Sequence, residues 1–377
     1  MGGYHARFAP EINPNMKLYY VLAIGGLLLT TASFDTRAEK ESFGTLKHLI
    51  ALAGEKNGIG ARPAGSVEEQ QAADYISQQL RDLNLIPERQ NFSIELDDFS
   101  GQSANVSALI PGRSEKQIVI GAHFDSTGVK QGSLGATDNA SGVAVLLSVA
   151  EHLSQLKNLP FSIKLVFFGS EEVGKLGSKY YVEQLASGQR ENVVAMLNLD
   201  TVIGGDTLYI HSASSTNFSC KNVAQPNLNT SGNFRDALLT YAQTRANLKV
   251  AFTLHDESDA FAQGETGDWS DHQAFACSGI PIAYIEATNM DIEGKGGKDG
   301  YSQTTNSAFW SCFSKSTLGS CEPDSETKWG EIWHTEFDRL ERLNPIFAGR
   351  LNSQLQANVA LIVGALRDQE TMNKLMK

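Results

Sequence analysis

The chain has 377 residues, 41% of them hydrophobic, with 34 glycines against 10 prolines, a composition that supports a large buried core and excludes a disordered or fibrous protein. Its formal net charge of −12, without a basic stripe, excludes a nucleic-acid binder, whose phosphate contacts need clustered Lys and Arg. An acidic surface instead tolerates or attracts cationic substrates.

The N-terminus reads as a targeting signal. After Met16 and Lys17, an apolar run from Leu18 to Leu29 leads into small and polar residues through Thr36-Arg37-Ala38, the pattern of a signal peptide cut after Ala38. The run falls short of the roughly 20 apolar residues of a membrane-spanning helix, and an uncleaved anchor extending to Phe34 is the minority alternative. Residues 1–15 read as upstream sequence before an internal start at Met16. The expectation is therefore upstream residues and signal peptide over 1–38, one catalytic domain over 39–377, export to the periplasm or medium, and no stable membrane association after cleavage. Four cysteines are too few for a disulfide scaffold, but in an oxidising compartment Cys312 and Cys321 can close a short loop. None forms a CxxC pair, which argues against a thiolate zinc site.

From Ser66, SVEEQQAADYISQQLRDLNL sets Ser66 and Glu69 at capping-box spacing and puts Ala72, Ala73, Ile76, Leu80 and Leu83 on one helical face. Short β-like runs follow at Phe92 to Leu96 and Asn105 to Ile110, then QIVIG from Gln117 to Gly121, a continuous apolar run typical of a buried parallel strand. Thereafter helix and strand alternate. Gly142 to Leu153 reads as a buried helix, Phe161 to Phe168 as a strand, Gly177 to Leu185 as a helix and Asn192 to Leu199 as a strand. Asn233 to Asn247 is a helix, Ile280 to Ala287 a strand, and a long helical stretch after Pro345 is expected to break near Gly364. This rhythm predicts a three-layer α/β/α domain with a mixed, mainly parallel central sheet. His211 to Ser231 and Asn289 to Gly330 fit it poorly and read as surface insertions bordering the mouth of a site.

In such a sheet, ligands collect at the carboxyl ends of strands. QIVIGA runs into His123-Phe124-Asp125, FSIKLVFFGS into Glu171-Glu172, and NVVAMLNL into Asp200, while Asp138 stands just before a buried helix. A lone acid at a strand end is usually a cap or a solvated loop residue. Together, a His and several acids with no Lys or Arg nearby would repel one another unless cations neutralised them, and imidazole with carboxylate is a zinc donor set.

His123-Phe124-Asp125, Thr137-Asp138-Asn139-Ala140-Ser141-Gly142, Glu171-Glu172, Asn198-Leu199-Asp200 and Trp333-His334-Thr335 resemble, in that order, the motif series of the M28 family of zinc peptidases. Gly60-Ala61-Arg62-Pro63-Ala64-Gly65-Ser66 and Ser270-Asp271-His272-Gln273-Ala274-Phe275 are also similar, so the resemblance runs from about Gly60 to the C-terminus. It implies two zinc ions, one held by His123 and Asp200, the other by Glu172 and His334, with Asp138 bridging. It further implies that Asp125 supports His123 from the far side, that Glu171 is the general base, and that a cis peptide follows Asp138. His334 rests on this resemblance alone.

The implied activity is removal of residues from the free N-terminus of a peptide or protein. Asp256, Glu257, Asp259, Asp268 and Asp271, close in sequence, point towards basic N-terminal residues. Three other readings stay open: a one-zinc glutaminyl cyclase, a carboxypeptidase, and a non-catalytic module derived from a peptidase. Ser270-Asp271-His272 lacks a G-x-S-x-G elbow and is set aside as a triad, leaving Asp271 either as a pocket-lining acid or as a plain loop or capping residue. Glu151-His152 lacks the second His of HExxH and reads as an exposed helix face, Gly294 to Lys298 as a flexible loop, and His211, His255 and His272 as loop histidines.

Overall fold

A computed structural model describes residues 44–128, 132–221, 223, 226–258 and 260–375. The expected signal peptide over 1–38 lies outside these residues. Among the described residues, no helix is long and apolar enough to cross a membrane.

The first helices are α1 (44–53) and α2 (Val67–Asp82). α2 starts where the sequence places it, because Ser66 Oγ accepts the Glu69 N–H at 3.0 Å and Ala72, Ala73, Ile76 and Leu80 are buried. β1 (Glu88–Leu96) and β2 (Phe99–Ile110) form a long hairpin turning at Asp97-Asp98, with Leu96 opposite Phe99. β3 (Gln117–His123), α3 (Ser141–Ser154), β4 (Ser162–Phe168), α4 (Leu176–Gln184), α5 (Ser187–Asn192) and β5 (Val193–Leu199) then alternate. β6 (Thr207–Ala213), α6 (Asn233–Thr244), β7 (Phe252–Thr253), β8 (Glu265–Thr266), α7 (His272–Ala276), β9 (Ile282–Thr288), α8 (Leu340–Arg367) and α9 (Gln369–Leu375) complete the order.

The strands form one nine-stranded sheet in the order β1-β2-β4-β3-β5-β9-β6-β7, with β8 paired to β6. β4, β3, β5 and β9 run parallel, flanked by antiparallel pairings of β2 with β4 and β6 with β9. Ile118, Ile120 and Ala122 of β3 pack with α2, α3, α6 and α8, whereas Val119 faces the other way, towards Tyr181 and Val182 of α4 and Phe275 of α7. Both faces are covered, which is why QIVIG reads as an unbroken apolar run. The result is the mixed, mainly parallel three-layer arrangement expected, with the carboxyl ends of β4, β3 and β5 on one edge.

Two expectations need correction. α8 begins at Leu340, ahead of Pro345, and the helical stretch breaks at Asp368 rather than at Gly364; a Cβ at Gly364 would lie 2.3 Å from Tyr241 Oη of α6, so the glycine serves close helix packing rather than termination. The proposed insertion at 211–231 begins inside β6, since His211, Ser212 and Ala213 are buried strand residues. The irregular part that follows is tied by a Cys220–Cys277 disulfide. The second insertion is organised by a Cys312–Cys321 disulfide, the pairing the sequence allowed, which closes a short hairpin of Phe313–Ser314 and Gly319–Ser320.

Candidate active site

His123 is the last residue of β3, Glu171 and Glu172 follow β4 by a two-residue turn, and Asp200 follows β5 directly. Asp138 lies in the turn Ala136–Ala140 that leads into α3, and the peptide bond after it is cis. His334 comes from the segment before α8, where Gln303 Oε1 accepts the Ile332 and Trp333 N–H groups at 2.7 and 2.9 Å. Tertiary packing, not a strand, delivers this residue.

The side chains converge. His123 Nε2 lies 3.2 Å from Asp138 Oδ1 and 3.4 Å from Asp200 Oδ1, while His334 Nε2 lies 2.9 Å from Asp138 Oδ2 and 3.1 Å from Glu172 Oε2. Two three-residue groups result, His123/Asp138/Asp200 and Asp138/Glu172/His334, each with one atom per residue inside a 4.8 Å span. Asp138 belongs to both and offers a different oxygen to each. The first group is enclosed, with the His123 side chain 1% exposed; the second opens to solvent, with His334 at 47%.

Electrostatics describe a cluster short of positive charge. Burial opposes protonation of His123, but Asp200, Asp125 and Asp138 outweigh it and raise the imidazole well above its usual value. Burial also raises Glu172, helped by Asp138, to about 7, and its Oε1 is buried without a hydrogen-bond partner. Three carboxylates drawing protons onto two imidazoles, with a lone oxygen left over, are the donor chemistry that divalent cations satisfy. Glu171 belongs to neither group. Burial, with Asp271, Glu172 and Asp200 adding to it and His123 opposing, pushes its carboxyl well above the ordinary range.

Asp125 sits where the sequence suggested, with Oδ1 3.4 Å from His123 Nδ1, too long for a good hydrogen bond. Its firmer contacts are the backbone N–H groups of Glu171 and Glu172, at 2.9 and 3.1 Å, so it anchors the paired glutamates as well as facing the imidazole.

Several partners escaped the sequence reading. Ser270, dismissed as a nucleophile, donates its hydroxyl to Asp200 Oδ2 at 2.7 Å and accepts from Asn198 Nδ2 at the same distance. Asn139 Oδ1 accepts the Gly142 N–H, and its amide donates to Leu199 O, tying the Asp138 turn to β5. Asp338 accepts from Thr137, and Arg62 lies fully buried beneath the His123 and Asp138 segments. Apart from the bond between Asn139 and Gly142, such contacts join residues far apart in sequence and leave no local pattern.

A cleft of about 550 Å³ opens over the cluster. Besides Asp138, Glu171, Glu172, Asp200 and His334, it is lined by Thr201, Trp269, Tyr284, Glu286, Asp299, Tyr301 and Trp333. Asp271 is fully buried and does not line this cleft. His211 and His272 are not loop residues: His211 is buried in β6 with Nε2 2.9 Å from Glu286 Oε1, and His272 opens α7, stacked on Tyr284 at 4.9 Å. His255 does lie in a loop, where its ring nitrogens face Asp256 O and Glu265 O. None of the three joins either group.

Residues 105–359 match the model of Peptidase family M28. The chain is 29% identical to the alkaline phosphatase isozyme conversion protein of Escherichia coli over 264 residues, 64% of this chain and 71% of that protein. It is 31% identical to a probable leucine aminopeptidase of Arthroderma otae over 153 residues, 38% of this chain and 42% of that one. Among solved structures, a zinc aminopeptidase from Bacillus subtilis aligns with a TM-score of 0.58 at 17% identity, covering 86% of this chain and 95% of the other. A glutaminyl cyclase from Porphyromonas gingivalis aligns with a TM-score of 0.58 at 19% identity, covering 87% and 96%. The two solved structures speak for the fold alone. With its family model matched along more than half of its length, this chain belongs to peptidase family M28 and is a metallohydrolase of peptide bonds.

Proposed function

We propose that the chain is a two-zinc aminopeptidase that removes residues from the free N-terminus of peptides or proteins. The observation that carries this reading is the division of Asp138, whose two oxygens face different imidazoles, beside a Glu171 that lines the same cleft but joins neither group.

His123, Asp138 and Asp200 would hold one ion, and Asp138, Glu172 and His334 the other. Bound there, zinc supplies an acidified water and stabilises charge developing on the attacked carbonyl. Glu171, which lines the same cleft and belongs to neither donor group, would accept the proton of that water and return it to the leaving amine. Asp125 holds the two glutamate amides so that neighbouring side chains take different tasks. The lining supports the aminopeptidase over the carboxypeptidase reading, since no Lys or Arg is among the described residues that line the cleft to receive a substrate carboxylate.

A preference for basic N-terminal residues remains part of the proposal, but on different residues. Asp268 is engaged by Gln273 and Ser219, Asp271 is fully buried and is not among the residues lining the cleft, and Asp259 lies outside the described residues. Glu286 and Asp299, set among Trp269, Tyr301 and Trp333, are the acids that face substrate. The two disulfides support export to an oxidising compartment, periplasmic or outside the cell.

The test is zinc stoichiometry and hydrolysis of an aminoacyl-anilide panel by wild type and Glu171→Gln. Two zinc ions per chain, release of a free amino acid, and a variant that keeps metal but loses at least about 100-fold in kcat are expected. One zinc with ammonia release from N-terminal glutamine would instead make the chain a cyclase, and equal cleavage of leucine and arginine anilides would remove the basic preference.

A further inference from the structure

The turn that presents Glu171 is held by a carboxylate from a distant helix. Ser170, which precedes Glu171, has a positive φ of 56°, a left-handed conformation that costs a non-glycine residue energy unless its surroundings enforce it. The enforcing group is Glu69 of α2. Glu69 Oε1 accepts both the backbone N–H and the hydroxyl of Ser170, each at 2.9 Å, and the Ser103 hydroxyl at 2.8 Å. Oε2 takes the Gly65 N–H at 2.7 Å.

Glu69 is fully buried, and each of these partners is a hydroxyl or an amide rather than a cation. A buried carboxylate is costly unless several donors converge on it, which is the arrangement here. Capping α2 does not require it, because Ser66 already accepts the Glu69 N–H. The chain also crowds against this carboxylate at the neighbouring position: a Cβ at Gly169 would lie 2.4 Å from Ser103 Oγ and 3.0 Å from Glu69 Oε1. With Asp125 receiving the next two amides, the consecutive N–H groups of Ser170, Glu171 and Glu172 all end on carboxylates, from α2 on one side and the end of β3 on the other.

We propose that Glu69 is a positioning residue for catalysis, fixing the Ser170 turn so that the Glu171 carboxylate meets the reacting water. The inference rests on the reading of Glu171 as general base. Loss of Glu69 frees the first of the three clamped amides while Asp125 still holds the other two. The effect therefore falls on the placement of Glu171 more than on the metal ligands.

The experiment compares Glu69→Gln, Glu69→Ala and Ser103→Ala with wild type for kcat, KM, bound zinc and melting temperature. Glu69→Gln keeps an oxygen acceptor for Ser170 but sets an amide N–H₂ against the Gly65 N–H, so its kcat should lie between those of wild type and Glu69→Ala. A misplaced base should cost Glu69→Ala about 10- to 100-fold in kcat, with KM and zinc content within about threefold of wild type. Ser103→Ala, which removes a donor without touching Ser170, should lower the melting temperature yet leave kcat within about twofold.

If both Glu69 variants turn over within twofold of wild type, or if their activity falls only in step with lost zinc, the proposal fails. Should Glu69→Ala not fold, the ordering of Glu69→Gln against Ser103→Ala decides the matter: a Glu69→Gln kcat no lower than that of Ser103→Ala overturns it. Glu171→Gln assayed alongside separates the two failures, because a Glu171→Gln enzyme that still turns over removes the base assignment itself.

Discussion

Asp338 accepts the Thr137 backbone N–H at 2.6 Å and the Thr137 hydroxyl at 2.8 Å, so the chain just past His334 holds the peptide that leads into Asp138. The segments that carry Asp138 and His334 are thereby tied to each other. Ser133 adds its hydroxyl to the same carboxylate, which is fully buried. Asp338→Ala should weaken zinc binding by about 10- to 100-fold, the usual cost of losing a partner behind a ligand. Competition with a chromogenic chelator measures it, and unchanged affinity would show that the Asp138 turn holds itself.

Arg62 makes a parallel case for the enclosed side. Its guanidinium donates to Phe124 O, Leu52 O, Gly60 O, Leu134 O and Gly135 O, joining the end of β3 to the segment before Asp138. Burial lowers it to about 10, still charged at neutral pH. A lysine cannot reproduce this fan of donors and would strand several carbonyls, each costing about 1–3 kcal/mol. We expect Arg62→Lys to lose about 3 kcal/mol or more in urea unfolding; a loss under 1 kcal/mol would contradict this account.

The contrast between these supports and the cluster itself shows what a sequence displays. His123, Glu171, Glu172 and Asp200 were legible because each ends an apolar run, and a doubly covered sheet leaves no doubt about where such runs end. Asp338, Arg62 and Glu69 reach the segments of the site across 62 to 201 residues of chain, each through several hydrogen bonds, and nothing beside them in sequence reveals the partner. β6 was hidden for another reason: its polar His211 and Ser212 look like loop residues until Glu286 and Arg235 are seen to face them. Gly364 misled because close packing and helix termination select the same residue.

The loop that carries Asp299 and Tyr301 to the cleft continues into a segment organised around Glu326. Burial opposes ionisation there, but the N–H groups of Lys328, Ser311 and Cys312 outweigh it and hold the carboxyl at about 2. A carboxyl lowered on folding stabilises the native state above its ordinary value of 4.5 and loses that contribution as pH falls through about 2. Glu326→Gln should therefore cost about 1–2 kcal/mol at pH 7. The gap from wild type should close between pH 4.5 and pH 2. Melting curves across that range test it; a gap independent of pH would assign the loss to packing instead.

The two halves of the cluster should release metal at different rates. His123 is 1% exposed and backed by Asp125, whereas His334 is 47% exposed and reaches the cluster from a segment outside the sheet. An external chelator therefore has open access to the group of Asp138, Glu172 and His334 and little access to the other. Zinc loaded into the protein should leave in two phases, with activity lost in the first. His334→Ala should retain one tightly bound ion, because His123 and Asp200 still flank Asp138. His123→Ala should weaken both sites, since the buried group would keep only carboxylates and the shared Asp138 would lose the partner that orients it. Release followed by a fluorescent zinc indicator distinguishes these outcomes, and a single phase with equal losses in both variants would mean that the ions bind and leave as one unit.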